Sequence, residues 1–213
     1  MRDRKIQGLM LVTDRVLCQP RSVEDVVMQA VRGGALWVQL REKHLPTRAF
    51  IEQALRIKER LALTDVPLIV NDRVDVALAV GADGVHLGQA DMPVPIARRL
   101  LGPGPIIGLS VERWPDVEEA QDLDVDYLGV SPVFATSTKA DTKSPWGLPG
   151  LARSRTYSRH PVVAIGGLNA GNIADAVRAG ADGIAVVSAI CCAPEPQMAA
   201  TDLVQRMRAE RQS

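Results

Sequence analysis

Two carboxylates stand just beyond short apolar runs in the stretch LIVNDRVDVALAVGADGVHLGQADM, residues 68–92. Asp72 follows Leu68-Ile69-Val70-Asn71, and Asp91 comes soon after Val85-His86-Leu87. An acid in such a place is either a helix cap or a ligand. For Asp72 alone the cap is a serious reading, since Asp accepts well from first-turn N–H groups. It explains poorly the bases that accompany the two acids: Arg41 and Lys43 after Trp37-Val38-Gln39-Leu40, and Lys139 within SPVFATSTKADTKSPWG. Two acids and three bases suit a polyanion held by a hard cation. Mg²⁺ takes one or two carboxylates and completes its shell with phosphate oxygens and water. Arg and Lys then face the oxygens that the ion leaves free.

The elements that must position these residues are visible as a repeat. AVRGGALWVQLRE, ALAVGADGVHLGQ and AVRAGADGIAVVS share one pattern, with AQDLDVDYLGVS a looser fourth copy. Each is an Ala-rich helix end, a Gly or small residue, then a short aliphatic run, which is the join of a helix to a buried strand. Filling the gaps predicts eight strands: 9–13, 37–41, 68–71, 84–87, 106–110, 127–131, 162–165 and 183–187. Helices alternate with them. Ser22 is expected to cap the first, Thr47 to open the second, which runs to about Leu61, and 73–80, 93–101, 113–123, 148–157, 172–179 and 196–211 follow. Alternation of apolar strands with helices implies a parallel sheet. Eight units in 213 residues predict an α/β fold, a single (β/α)₈ TIM barrel over residues 1–213. A doubly wound open sheet is the alternative, because periodicity does not show closure.

In such barrels chemistry gathers at the C-terminal strand ends. Strand two ends at Gln39, Arg41 and Lys43, strand three at Asn71 and Asp72, strand five at Ser110. Gly166-Gly167 after strand seven and Val187-Ser188 after strand eight resemble the phosphate cradle common to these barrels, where backbone N–H groups hold an anion. Two anion sites of different character, one metal-assisted, point to the joining of two phosphorylated substrates.

Composition excludes much else. Lys+Arg and Asp+Glu are equal at 25 each, with no basic stripe, so neither nucleic acid nor an anionic membrane is an expected partner. Cys18, Cys191 and Cys192 have neither disulfide-framework nor zinc spacing. With no signal peptide or membrane span in view, the cytoplasm is the expected compartment. Small molecules are the expected partners, and a homo-oligomer is left open.

The ordered set LVTD, VQLREK, NDRVDVALAVGADGVHLGQADM, GLSV, DYLGVSPVF, TSTKAD, VAIGGL and GADGIAVVSAI resembles the thiamine phosphate synthase family over nearly the whole chain. AIGG and GADG occur in many phosphate-binding barrels, whereas QLREK with NDR…HLGQ and TSTKAD is specific. The resemblance implies coupling of 4-amino-5-hydroxymethyl-2-methylpyrimidine diphosphate to a thiazole phosphate, by departure of diphosphate and capture of a pyrimidine-stabilised cation. It implies that Asp72 and Asp91 bind Mg²⁺ and that Arg41, Lys43, Asn71 and Lys139 hold the diphosphate. Gln39 and Ser110 would line the pyrimidine and diphosphate pocket. Thr136 and Thr138 would face the thiazole, and Gly167, Val187 and Ser188 its phosphate. Arg41, Lys43, Ser110 and Lys139 would be the catalytic set.

Ser131 departs from the Gly usual in that family. The Thr/Ser/Lys-rich loop after strand six has the length of a lid. His86 is expected to be a hydrogen-bonded barrel residue rather than a ligand, and Glu42 to pair with neighbours. A thiazole tautomerase is the nearest rival, but such relatives carry a His after strand six, where this chain has Pro132, and lack the acid pair. A non-catalytic thiamine phosphate or thiazole phosphate binder would leave the metal and diphosphate set unexplained.

Overall fold

The computed structural model describes residues 5–136 and 144–212. Eight strands follow in chain order: β1 (Gly8–Val12), β2 (Trp37–Leu40), β3 (Leu68–Asn71), β4 (Gly84–Leu87), β5 (Ile106–Val111), β6 (Tyr127–Val130), β7 (Val162–Ile165) and β8 (Gly183–Val186). Each pairs in parallel with the next, and β8 returns to β1 with Gly8 opposite Gly183 and Leu11 opposite Val186. The sheet is therefore closed, a (β/α)₈ barrel, and the open-sheet alternative is set aside.

The helices are α1 (Arg15–Cys18), α2 (Val23–Arg32), α3 (Thr47–Leu61), α4 (Val74–Val80), α5 (Val94–Leu101), α6 (Trp114–Ala120), α7 (Gly147–Tyr157), α8 (Ile173–Arg178), α9 (Ser188–Cys191) and α10 (Pro196–Gln212). Ser22 caps α2 as expected, its hydroxyl accepting from the Asp25 N–H at 3.1 Å. The one-turn helices α1 and α9 are absent from the sequence reading, because four residues are too few to display a 3.6-residue period.

Alternation along each strand divides the apolar side chains into two cores. Inward-facing Met10, Val12, Trp37, Ile69, Ile106, Tyr127, Val163 and Ala185 fill the barrel. Outward-facing residues such as Leu9, Leu11, Val70, Val85, Leu128 and Ile184 pack beneath the helices.

The sequence repeat has a further physical basis at the lower rim. Asp83, Asp126 and Asp182 precede β4, β6 and β8. Their Oδ2 atoms accept from Leu68 N at 2.7 Å, Ile107 N at 2.8 Å and Val162 N at 2.8 Å respectively. Each acid thus staples the start of one strand to its neighbour, and hydrogen bonds to charged groups contribute about 1.5–3 kcal/mol each. Register at the lower rim, and with it the position of every residue at the upper rim, is fixed by these contacts together with the ladder.

Candidate active site

At the C-terminal mouth of the barrel lies a cavity of about 310 Å³. All the sequence-derived site residues that fall among the described ones line it: Gln39, Arg41, Lys43, Asn71, Asp72, Asp91, Ser110, Thr136, Gly167, Val187 and Ser188. Thr138 and Lys139, and the centre of the loop read as a lid, lie outside the described residues.

The cationic arm after β2 is held from behind. Thr13 and Asp14 follow β1, and the Thr13 hydroxyl accepts from the Arg41 N–H at 3.0 Å. Asp14 Oδ1 caps α1 by accepting from Val16 N and Leu17 N, while its Oδ2 accepts from Arg41 Nη1 at 3.2 Å. Next door, Arg15 Nε donates to Glu42 Oε2 at 3.0 Å, and Glu42 Oε1 accepts from the N–H groups of Lys43 and His44. Two crossed ion pairs therefore fix the backbone that presents Arg41 and Lys43. Asp14 was missed at the sequence level, although it obeys the same rule as Asp72 and Asp91, an acid within four residues of a strand end.

Lys43 Nζ reaches Asp72 Oδ2 at 2.5 Å. Asp72 is not the cap of α4: that position belongs to Arg73, and no side chain caps it. Asp72 instead has φ +63°, the one non-glycine residue with positive φ among the described residues. Few side chains enter the left-handed region, and Asp and Asn are among those that tolerate it. The turn is local, because the Asp72 N–H still donates to His86 O at 2.8 Å. The backbone is turned so that the carboxylate faces the cavity rather than the helix. Arg73 turns the other way, onto Asp75 and Thr47.

Asp91 accepts from the Gly88 N–H at 2.6 Å. Burial raises its carboxyl above the ordinary range and the neighbouring Asp72 carboxylate adds to this, while the Gly88 N–H and Lys43 pull the other way. Two oxygen donors that repel each other in a partly desolvated place, with cations at hand, fit a hard divalent ion. Asp72 and Asp91 are the residues that would hold it.

Across the mouth, Gly166 and Gly167 have φ +97° and +67°. The sequence reading gave these glycines to anion approach, and the structure adds a packing reason. A Cβ on Gly167 would lie 2.6 Å from Ala135 O, and one on Gly166 2.7 Å from Pro132 Cβ. The turn thus nests against the segment after β6, where Phe134 N donates to Gly166 O at 3.0 Å. Ser188 opens α9 beside it. Ser110, at the end of β5, closes the floor with His86, whose Nε2 lies 2.8 Å from Ser110 Oγ.

Of the remaining residues, Glu42 does pair, with Arg15 rather than with the Lys43 ammonium. His44 is exposed. His160 is half-buried against Ala120 O, and burial lowers its basicity. Trp146 donates to Ser131 O at 3.3 Å. Cys191 is buried at the end of α9 and Cys192 is exposed. No helix among the described residues is long and apolar enough to cross a membrane.

A sequence profile described as thiamine monophosphate synthase matches residues 9–190. The chain is 56% identical over 205 residues to the thiamine-phosphate synthase of Albidiferax ferrireducens, covering 95% of this chain and 94% of that one. It is 53% identical over 187 residues to that of Vibrio campbellii, covering 88% and 92%. In three dimensions it is similar to thiamine phosphate pyrophosphorylase from Pyrococcus furiosus, with a TM-score of 0.88, 38% identity and 98% of each chain covered. The acid pair, the braced cations and the glycine turn thus occur in a chain that belongs to the thiamine monophosphate synthase family.

Proposed function

We propose that this transferase couples 4-amino-5-hydroxymethyl-2-methylpyrimidine diphosphate to a thiazole phosphate, giving thiamine phosphate and free diphosphate. The observation that carries this reading is the division of the mouth into two unlike halves. One half holds Asp72 and Asp91 against Lys43 and Arg41, and the other holds Gly167, Val187 and Ser188. Family membership supplies the reaction.

In the proposed step the bond from the exocyclic methylene carbon to the diphosphate oxygen breaks. Its electron pair leaves with diphosphate, and the pyrimidine ring stabilises the resulting cation. The thiazole nitrogen then donates its lone pair to that carbon. Negative charge grows on the leaving group as the bond opens, so cations that face it lower the barrier more than they aid binding. Arg41 and Lys43 supply two of these, braced by Asp14 and Glu42, Lys139 is the third, and Asn71 adds a neutral amide donor. A Mg²⁺ ion held by Asp72 and Asp91 would add Lewis-acid stabilisation of the diphosphate. Gln39 and Ser110 flank the pyrimidine, Thr136 and Thr138 the thiazole. No protein nucleophile is required.

The tautomerase alternative gains nothing from the structure, since position 132 is a buried proline. We place the enzyme in the cytoplasm and read residues 1–213 as one domain. The deciding experiment incubates the protein with both substrates and Mg²⁺, beside a parallel reaction containing a chelator. Product only in the first is expected, and none in either refutes the proposal.

A further inference from the structure

Beneath the cavity floor the barrel interior holds a polar chain in place of packed aliphatics. Tyr127 is fully buried and His86 is 7% exposed. Their rings lie 5.4 Å apart at 29°. Room for them comes from two glycines on adjacent strands. A Cβ on Gly108 would sit 2.2 Å from Tyr127 Cζ, and one on Gly129 would sit 2.9 Å from His86 Cε1. The Tyr127 hydroxyl lies 2.9 Å from His86 Nδ1, and His86 Nε2 lies 2.8 Å from Ser110 Oγ. Behind Tyr127 stands the Gln39 amide, whose presence favours the charged form of the phenol and whose Nε2 faces Met10 Sδ at 3.7 Å. Gln39, His86 and Ser110 line the cavity, whereas Tyr127 does not.

The order of donors follows from this arrangement. The amide end of Gln39, set beside Met10 Sδ, presents its donor side to the phenol oxygen. Burial holds the phenol in its neutral form, so its proton goes to Nδ1. An imidazole accepting at Nδ1 carries its proton on Nε2, which donates to Ser110 Oγ. The hydroxyl proton of Ser110 is then left to point into the cavity. An unrestrained serine hydroxyl presents either a lone pair or a proton, and only the proton attracts an anionic oxygen.

We propose that Tyr127 and His86 are positioning residues that hold the Ser110 hydroxyl as a donor toward the leaving diphosphate. The proposal rests on the synthase reading and deepens it: catalysis would depend on a hydroxyl group outside the cavity, acting through two hydrogen bonds.

Tyr127→Phe removes that hydroxyl and leaves the ring and every cavity atom in place. Turnover should fall about ten-fold, less than the loss of a whole transition-state donor, with KM for the pyrimidine diphosphate changing less than two-fold. In a Ser110→Ala background the same change should cost less than about two-fold, because the group it orients is gone. Equal losses with and without the Ser110 hydroxyl would overturn the proposal. Should Tyr127→Phe fold poorly, His86→Gln and His86→Ala decide instead. The Gln amide reaches the position of Nε2, so several-fold higher turnover than with Ala is expected, and equal turnover overturns the proposal. An unaltered protein that makes no product refutes the synthase reading and the proposal with it; an active parent with additive variants refutes the positioning role alone.

Discussion

Asp72→Asn separates the metal-ligand role from any structural role of that residue. Asn tolerates the left-handed region as Asp does, so the backbone at φ +63° meets no new penalty. The change removes one charge from the pair with Lys43, whose side chains are 45% and 19% exposed for Lys43 and Asp72. Exposed pairs of this kind contribute about 0–1 kcal/mol. At about 2–4 °C per kcal/mol for a domain of this size, Tm should fall by no more than about 4 °C. Activity should respond differently. Metal stabilisation of a leaving group amounts to several kcal/mol; loss of about 3–4 kcal/mol at 1.36 kcal/mol per decade lowers turnover by roughly 10²–10³-fold. The assay is product formation at saturating Mg²⁺ beside a thermal melt of the same preparation. Turnover within about three-fold of the parent, or a Tm loss far above 4 °C, would refute the reasoning. Asp72→Val is the control: a β-branched residue is an outlier at positive φ, so its melt should drop clearly below that of the Asn variant.

Asp91→Asn should stabilise the metal-free protein at neutral pH. The folded-state value of Asp91 is raised, by burial first and Asp72 second, so the stability it contributes is complete below its unfolded value and lost as pH rises through the raised one. Melts in chelator across that range should show the variant's advantage shrinking toward acid pH, and a constant difference would contradict the assignment. Gly108→Ala drives a carbon to 2.2 Å from Tyr127 Cζ; overpacking of about 1–3 kcal/mol predicts a lower Tm, and an unchanged melt would mean the ring lies elsewhere. Glu42→Ala frees the N–H groups of Lys43 and His44, so kcat should fall more than KM for the pyrimidine diphosphate rises in steady-state kinetics.

Much of this was legible beforehand because strand ends are punctuated chemically. Asn71-Asp72 and Gly88-Gln89 interrupt aliphatic runs, and a parallel barrel sends every such interruption to one rim. The sense in which Asp72 turns was not legible, since a helix cap and a residue turned into the cavity at positive φ have the same letter. Nor was the double duty of Gly166 and Gly167, because the atoms a Cβ would strike belong to Pro132, Phe134 and Ala135, more than thirty positions earlier. His86 read as a hydrogen-bonded barrel residue, which it is. Its alignment with Tyr127 and Ser110 depends on strand register, and register depends on long-range pairing that one-dimensional spacing does not carry.

The aspartate staples at Asp83, Asp126 and Asp182 divide labour along each strand. Pairing is secured where the strand begins, and the residues that meet substrate sit where it ends, a strand length away. Sequence drift at the upper rim can therefore change what the mouth accepts without loosening the cylinder, while drift at the lower rim threatens every position above it at once. The repeated GADG of this chain is, in that light, an architectural foundation on which different upper rims can be built.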